Sequence, residues 1–195
     1  MLFYCLRRPT HSFIRWALGL FIASLLAGSR VAATETPIRS IEITQDSDGY
    51  TANVVMFAPV PASVAWEVLT DFDHMAAWVP NVRQSKVVGR DGNTVTVEQQ
   101  GVAEFGIVSF PYTSVRQMQL ELLRTVHSTQ IKGSMKRLDS LMTLRPESNG
   151  TQLTYHLEMV PAGLASAVLS KDFLKHELTE QFSAIIGEMV RRAGR

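Results

Sequence analysis

Apolar and polar residues follow two rhythms along this chain. Between residues 38 and 160 they mostly alternate, and from 163 to 192 they recur every three or four positions. Alternation is the mark of a half-buried strand, and the longer period that of an amphipathic helix. Ile38 to Gln45 and Tyr50 to Pro59 flank the turn signal Asp46-Ser47-Asp48-Gly49, which predicts strand, turn, strand. Ala62 to Thr70 departs from alternation. It places Val64, Val68 and Leu69 on one side with Ala65 beside them, a short helix opened by Pro61. Asp71-Phe72-Asp73 breaks it, and these carboxylates are expected to cap a second short helix. That helix carries Met75 and Trp78 and stops before Pro80.

Alternation then resumes. Val82 to Gly89 and Thr94 to Gly101 read as strands joined by Arg90-Asp91-Gly92-Asn93, with Val95 and Val97 opposite Thr94, Thr96 and Glu98. Residues 101–111, GVAEFGIVSFP, read as a bent strand or a hairpin. Tyr112 to Leu123 puts Met118, Leu120 and Leu122 together, and Arg116 shares their parity. Thr125 to Gly133, Leu138 to Arg145 and Thr151 to Val160 follow, the last with Leu153, Tyr155, Leu157 and Met159 on one face. Strands so closely spaced predict one antiparallel sheet. In the final segment Leu174, Leu178, Phe182, Ile185 and Met189 form a helical stripe, with Lys171, Lys175, Glu177, Glu180 and Glu188 on the wet side. A bend is expected near Ser170-Lys171-Asp172, with Asp172 starting the new turn. The fold class is α+β, with a long C-terminal helix packed on an antiparallel sheet.

The first 33 residues stand apart. Arg7, Arg8 and Arg15 precede an apolar run from Trp16 to Ala27, and Val31-Ala32-Ala33 supplies small residues. That order predicts a secretory signal peptide over residues 1–33, cleaved after Ala33, and one domain over 34–195. The alternative is an uncleaved N-terminal membrane anchor, although the run is short of the roughly 20 residues needed to span. Residues 34–37 read as a mobile lead-in to the domain. An exported location, the bacterial periplasm, follows as an expectation.

Without residues 1–33, 15 Lys+Arg face 18 Asp+Glu, a net charge of −3. That balance lacks the basic face a nucleic-acid partner requires. The sole cysteine, Cys5, falls in the leader, so the domain has neither thiol chemistry nor disulfides. His74, His127, His156 and His176 are not spaced as metal ligands, and no Gly-rich phosphate loop or G-x-S-x-G elbow occurs. No cofactor or metal is expected. What the residues favour is an apolar pocket with a few polar handles.

The order of strands, paired short helices, further strands and a long final helix resembles the helix-grip fold. Two stretches carry a closer resemblance: VPASVAWEVLTDFDHMAAWVPNVRQSKVV, from residue 60, and KGSMKRLDSLMTLRPESNGTQLTYHLEMVP, residues 132–161. They resemble the START-like, or SRPBCC, superfamily, in particular its polyketide cyclase/dehydrase and coenzyme Q-binding branch. The resemblance covers about residues 40–190. It implies a sheet curled around the long helix, with an apolar cavity for lipids, sterols, quinones, polyketides or hormones.

Candidate cavity residues come from three regions. Met75, Trp78, Phe105, Phe110 and Tyr112 surround the second helix and the 101–111 segment. Met118, Leu120, Leu141, Tyr155, Leu157 and Met159 come from the sheet. Phe173, Leu174, Leu178 and Phe182 come from the final helix. Each could equally be ordinary core. Arg116 has three readings: it binds a polar ligand head, it pairs with Glu98 or Glu104, or a bulge turns it outward. The expected function is non-covalent binding or carriage of a hydrophobic small molecule or lipid. The alternatives are a cyclase/dehydrase using Tyr112, Tyr155 or Arg116, and an interaction module with a filled cavity. Transient membrane contact stays open, as does oligomeric state.

Overall fold

The computed structural model describes residues 37–195 except Asp48 and Leu164, and except the side chains of Phe105 and Val108. The predicted leader and most of the lead-in lie outside these residues. Two strands open the domain, β1 (Ile38–Gln45) and β2 (Tyr50–Ala58). Helix α1 (Ala62–Thr70) and a 3-10 turn (Phe72–Ala77) follow. Six strands come next: β3 (Val82–Asp91), β4 (Thr94–Phe105), β5 (Val108–Glu121), β6 (Thr125–Gly133), β7 (Met135–Glu147) and β8 (Gly150–Pro161). A short α2 (Ala165–Val168) and a long α3 (Lys171–Ala193) end the chain. All strands join one antiparallel sheet in the order β1-β2-β8-β7-β6-β5-β4-β3.

Helix α3 explains the sheet's shape. It contacts β1 and β2 near one edge and β4 near the other, so the sheet must curl around it. Phe182, Ile185, Ile186 and Met189 of α3 are buried against Val54, Met56, Val97 and Leu153 of the sheet. Alternation sets which strand residues face inward, as at Tyr50, Ala52, Val54 and Met56 of β2. Gly49, at φ +153°, closes the first hairpin where a Cβ would come 2.1 Å from the Met159 carbonyl oxygen. No described helix is long and apolar enough to cross a membrane.

Of its two readings the 101–111 segment takes the hairpin: it is the closed end of β4–β5, with Phe105 paired to Val108 across a turn at Gly106. Several local expectations are corrected. Asp71 and Asp73 make no helix-capping bonds. Asp73 Oδ1 instead accepts from the Val87 amide at 2.7 Å, tying the 3-10 turn to β3. The new turn after the α2–α3 break is capped by Ser170, whose hydroxyl accepts from the Phe173 amide at 3.1 Å. Leu122 lies beyond the end of β5 and is exposed. Glu188, expected on the wet side of α3, is buried.

Glu188 belongs to an ion cluster that bolts the end of α3 to α1. Arg192 donates through Nε to Glu188 at 2.7 Å, through Nη1 to Glu67 at 2.9 Å and through Nη2 to Asp71 at 2.6 Å. Arg191 Nε bonds Glu188 at 2.6 Å from the other side. Bonds from Arg191, and then Arg192, outweigh burial and hold the Glu188 carboxyl down at about 2. Breaking a buried pair by removing one partner costs about 3–5 kcal/mol. Arg192→Ala should therefore lower the melting temperature by roughly 6–20 °C, read by calorimetry, at about 2–4 °C per kcal/mol. A carboxyl depressed from 4.5 to about 2 contributes stability above pH 4.5 that drains away as pH falls toward 2. Glu188→Gln should remove that part of the acid-induced loss, seen as a shallower fall of stability across the window.

Candidate functional site

The space between α3 and the sheet is not filled. An outer chamber of about 170 Å³ adjoins an inner one of about 100 Å³. The outer is walled by Leu157 and Met159 of β8, Leu174 and Leu178 of α3, and Met135 and Leu138 of β7. The inner is walled by Met75, Met118, Val126, Met142, Phe182 and Ile185. Val79, Gln99, Arg116, Tyr155 and Gln181 line both and form the waist between them.

The waist is held by a run of hydrogen bonds starting at the 3-10 turn. Ser85 Oγ donates to the Phe72 carbonyl at 2.5 Å, and Gln99 Nε2 donates to Ser85 Oγ at 3.1 Å. Gln99 Nε2 also lies 3.4 Å from Met75 Sδ. With its amide nitrogen so engaged, Gln99 presents Oε1 to Arg116 Nη2, which donates to it. Arg116 Nε is buried without a partner. Among the described residues no carboxylate forms an ion pair with Arg116. Burial pushes its pKa down, opposed by the nearby Tyr155 and Tyr112. An arginine nonetheless keeps its charge in a protein.

Burial raises the Tyr155 phenol, against a hydrogen bond with Ser140 and the charge of Arg116. Burial raises Tyr112 as well. Both therefore stay protonated at neutral pH and are not bases there. Tyr112 donates to the Asn81 carbonyl at 3.2 Å. Gly101 lets these groups meet, since a Cβ there would come 2.0 Å from the same oxygen.

Glu177 of α3 lines the outer chamber. Its Oε2 accepts from Asn81 Nδ2 at 2.6 Å and its Oε1 from the Glu104 amide at 3.1 Å. Burial raises its pKa, against those two bonds. Among the described lining residues it is the only carboxylate in either chamber.

Most of the candidate residues meet at this cavity. Tyr112, Arg116, Tyr155, Leu157, Met159, Leu174 and Leu178 line the outer chamber, and Met75, Met118 and Phe182 the inner. Trp78 packs half-buried against the core outside both linings, its indole Nε1 buried without a partner. Phe110 and Phe173 are buried but also lie outside the linings. The side chain of Phe105 lies outside the described residues. Leu141 must be corrected. Ser140, Met142 and Leu144 take the inward parity of β7, so Leu141 turns outward between His127 and His156. Leu120 packs half-buried against the core, outside both linings.

Arg116 resolves its three readings in part. The register does slip between Val115 and Arg116, yet the guanidinium still faces the cavity, and its partner is Gln99 rather than Glu98 or Glu104.

Sequence reading missed Gln99, Ser128, Ser140, Glu177 and Gln181. Parity could have found the first three, since Gln99 continues Val95 and Val97, Ser128 continues Val126, and Ser140 precedes Met142 by two. The other two stand within one helical turn of Leu174 and Leu178. Their polarity argued for solvent, whereas the cavity makes a polar residue on the inner face tolerable.

The curled sheet, the gripping helix and the internal cavity define a helix-grip, START-like protein. The chain belongs to the polyketide cyclase/dehydrase and lipid transport family, whose model matches residues 58–184. Solved structures share the fold at low identity. The STAR-related lipid transfer protein of Xanthomonas axonopodis superposes at TM-score 0.60 with 15% identity, covering 76% of this chain and 98% of that one. The Zhui aromatase/cyclase of Streptomyces sp. R1128 does so at 0.58 with 16% identity, covering 73% and 94%. A START superfamily protein of Mycobacterium smegmatis gives 0.59 with 10% identity, covering 75% and 98%. No curated protein matches by sequence.

Replacing Glu177 separates the loss of charge from the loss of an acceptor. Glu177→Leu leaves the part-buried Asn81 Nδ2 without its partner, at about 1–3 kcal/mol, and gives the exposed Glu104 amide over to water. Glu177→Gln keeps one acceptor oxygen and relieves a buried charge. Urea unfolding should show the leucine variant destabilised by about 2 kcal/mol or more and the glutamine variant within about 1 kcal/mol of the parent.

Proposed function

We propose that this protein is an exported, non-covalent binder or carrier of a hydrophobic small molecule or lipid. Quinone-, sterol- and polyketide-like compounds are the classes in view. The observation that carries this reading is the two-chamber cavity between α3 and the sheet, whose wall is more apolar than polar. Burying apolar ligand surface there contributes about 25 cal/mol per Å². The family's description, which includes lipid transport, supports the same reading. So does the lipid transfer protein among the structural neighbours. Export rests on the basic-apolar-small order of residues 1–33. A carrier in the envelope would shield a water-insoluble compound between membranes.

The second reading is a cyclase or dehydrase. Tyr155 and Arg116 both line the waist, where two donors could polarise a ketone. An aromatase/cyclase among the neighbours supports it. Against it, the described walls of the inner chamber hold no carboxylate or histidine to take a proton. Glu177 is bound by Asn81 and Glu104 at the mouth. Carriage is therefore the better-supported function.

Organic extraction of protein purified from its own envelope, followed by mass spectrometry, should yield a stoichiometric apolar compound. Leu178→Trp, which fills the outer chamber, should weaken binding of an apolar dye at least tenfold while unfolding remains cooperative. An empty extract together with a dye that no lipid class displaces would refute the carrier. N-terminal sequencing of the envelope form should begin at Thr34 if the leader is cleaved after Ala33.

A further inference from the structure

The charge at the waist has no counter-charge of the protein's own. Arg116 is a cation set in an apolar cavity, bonded on one side to a neutral amide and with Nε unpaired. Buried charges in proteins are paired or hydrogen-bonded throughout, and exceptions mark a missing partner. A second such exception lies in the same chamber. Ser128 is 5% exposed, its Oγ is buried without a partner, and it lines the inner chamber with Arg116. It stands on β6 opposite Met118, one inward step along the ladder from Arg116 and its partner Gln130. Two orphaned polar groups thus share one small space. Glu177 is held at the mouth by two other bonds. A glutamate at position 99 would have given Arg116 an ion pair, but the chain has glutamine there.

We propose that the ligand carries one anionic oxygen group, a carboxylate or an enolate, and binds with it against Arg116 at the waist and Ser128 on its inner-chamber side. This rests on the carrier reading and adds the class of molecule carried. The anion supplies the counter-charge that the protein withholds. Its hydrocarbon end occupies the inner chamber among Met75, Met118, Val126 and Met142. Gln99 is a positioning residue. Fixed by Ser85, it turns an acceptor toward Nη2 and leaves Nε free for the ligand. A guanidinium suits this task because its planar fork matches a carboxylate.

The test uses protein stripped of any bound compound and displacement of the neutral dye 1-aminoanthracene. Two matched pairs serve as competitors: decanoate against decanol, and 2-naphthoate against 2-acetylnaphthalene. In at least one pair the carboxylate should bind at least tenfold more tightly than its neutral partner. That preference should fall below about twofold in Arg116→Met and in Gln99→Glu, which places a carboxylate on Arg116 from within. Both variants should melt at or above the parent temperature, because Arg116→Met removes an uncompensated buried charge and Gln99→Glu supplies its counter-charge. If Arg116→Met fails to fold, Gln99→Glu alone decides. Equal binding of charged and neutral partners overturns the anion proposal and leaves the carrier standing, as does a preference that survives both variants. A protein that binds neither the dye nor any competitor overturns both.

Discussion

The structure depends on covering one helix. α3 presents a stripe from Leu174 to Met189 that must leave water, and no second long helix exists among the described residues to pack on it. The sheet therefore does the covering, and only a strongly curled sheet reaches both flanks. The register slips in the β1–β2, β3–β4, β5–β6 and β7–β8 pairings fit this need, because extra residues in a strand sharpen its bend and twist. Curling around a cylinder also leaves space that side chains do not fill. The cavity is a by-product of that geometry, retained where the Leu157–Met159 end of β8 stands off from Leu174 and Leu178.

A tightly packed end balances this loosely filled one. At the C-terminal end of α3, Met189 is fully buried, and Arg192 joins Glu67, Asp71 and Glu188 beneath α1. At the N-terminal end the helix borders the outer chamber and is held by Glu177. The domain thus carries its stability at one end and its binding space at the other. The polar layer through Ser85, Gln99 and Arg116 sits between them.

Much of this arrangement was legible in the chain, because alternation and helical period are both consequences of burial. β1 and α1 fall at the predicted bounds, and the Leu174–Met189 stripe points inward as expected. Less legible were the contacts of acidic residues. Asp71 and Asp73 had the spacing of caps, but neither caps: Asp71 bonds the His74 ring and the distant Arg192, and Asp73 the distant Val87 amide. Leu141 misled because one leucine among polar neighbours looks inward until the parity of Ser140 and Met142 is weighed against it. Gln99 and Glu177 were hidden for the opposite reason. A cavity reverses the usual sorting, so polar side chains face inward without being core.

Glu177 joins three parts of the chain that are distant in sequence: the grip helix, the segment after the 3-10 turn, and the end of the β4–β5 hairpin. Any widening that parts Asn81 and Glu104 from α3 must exchange two hydrogen bonds, one of them part-buried, for water. If the proposed guest passes here, its entry and exit share a barrier with local unfolding at this end. The protein's exchange kinetics and its amide-hydrogen protection around Glu104 become two readings of one opening event.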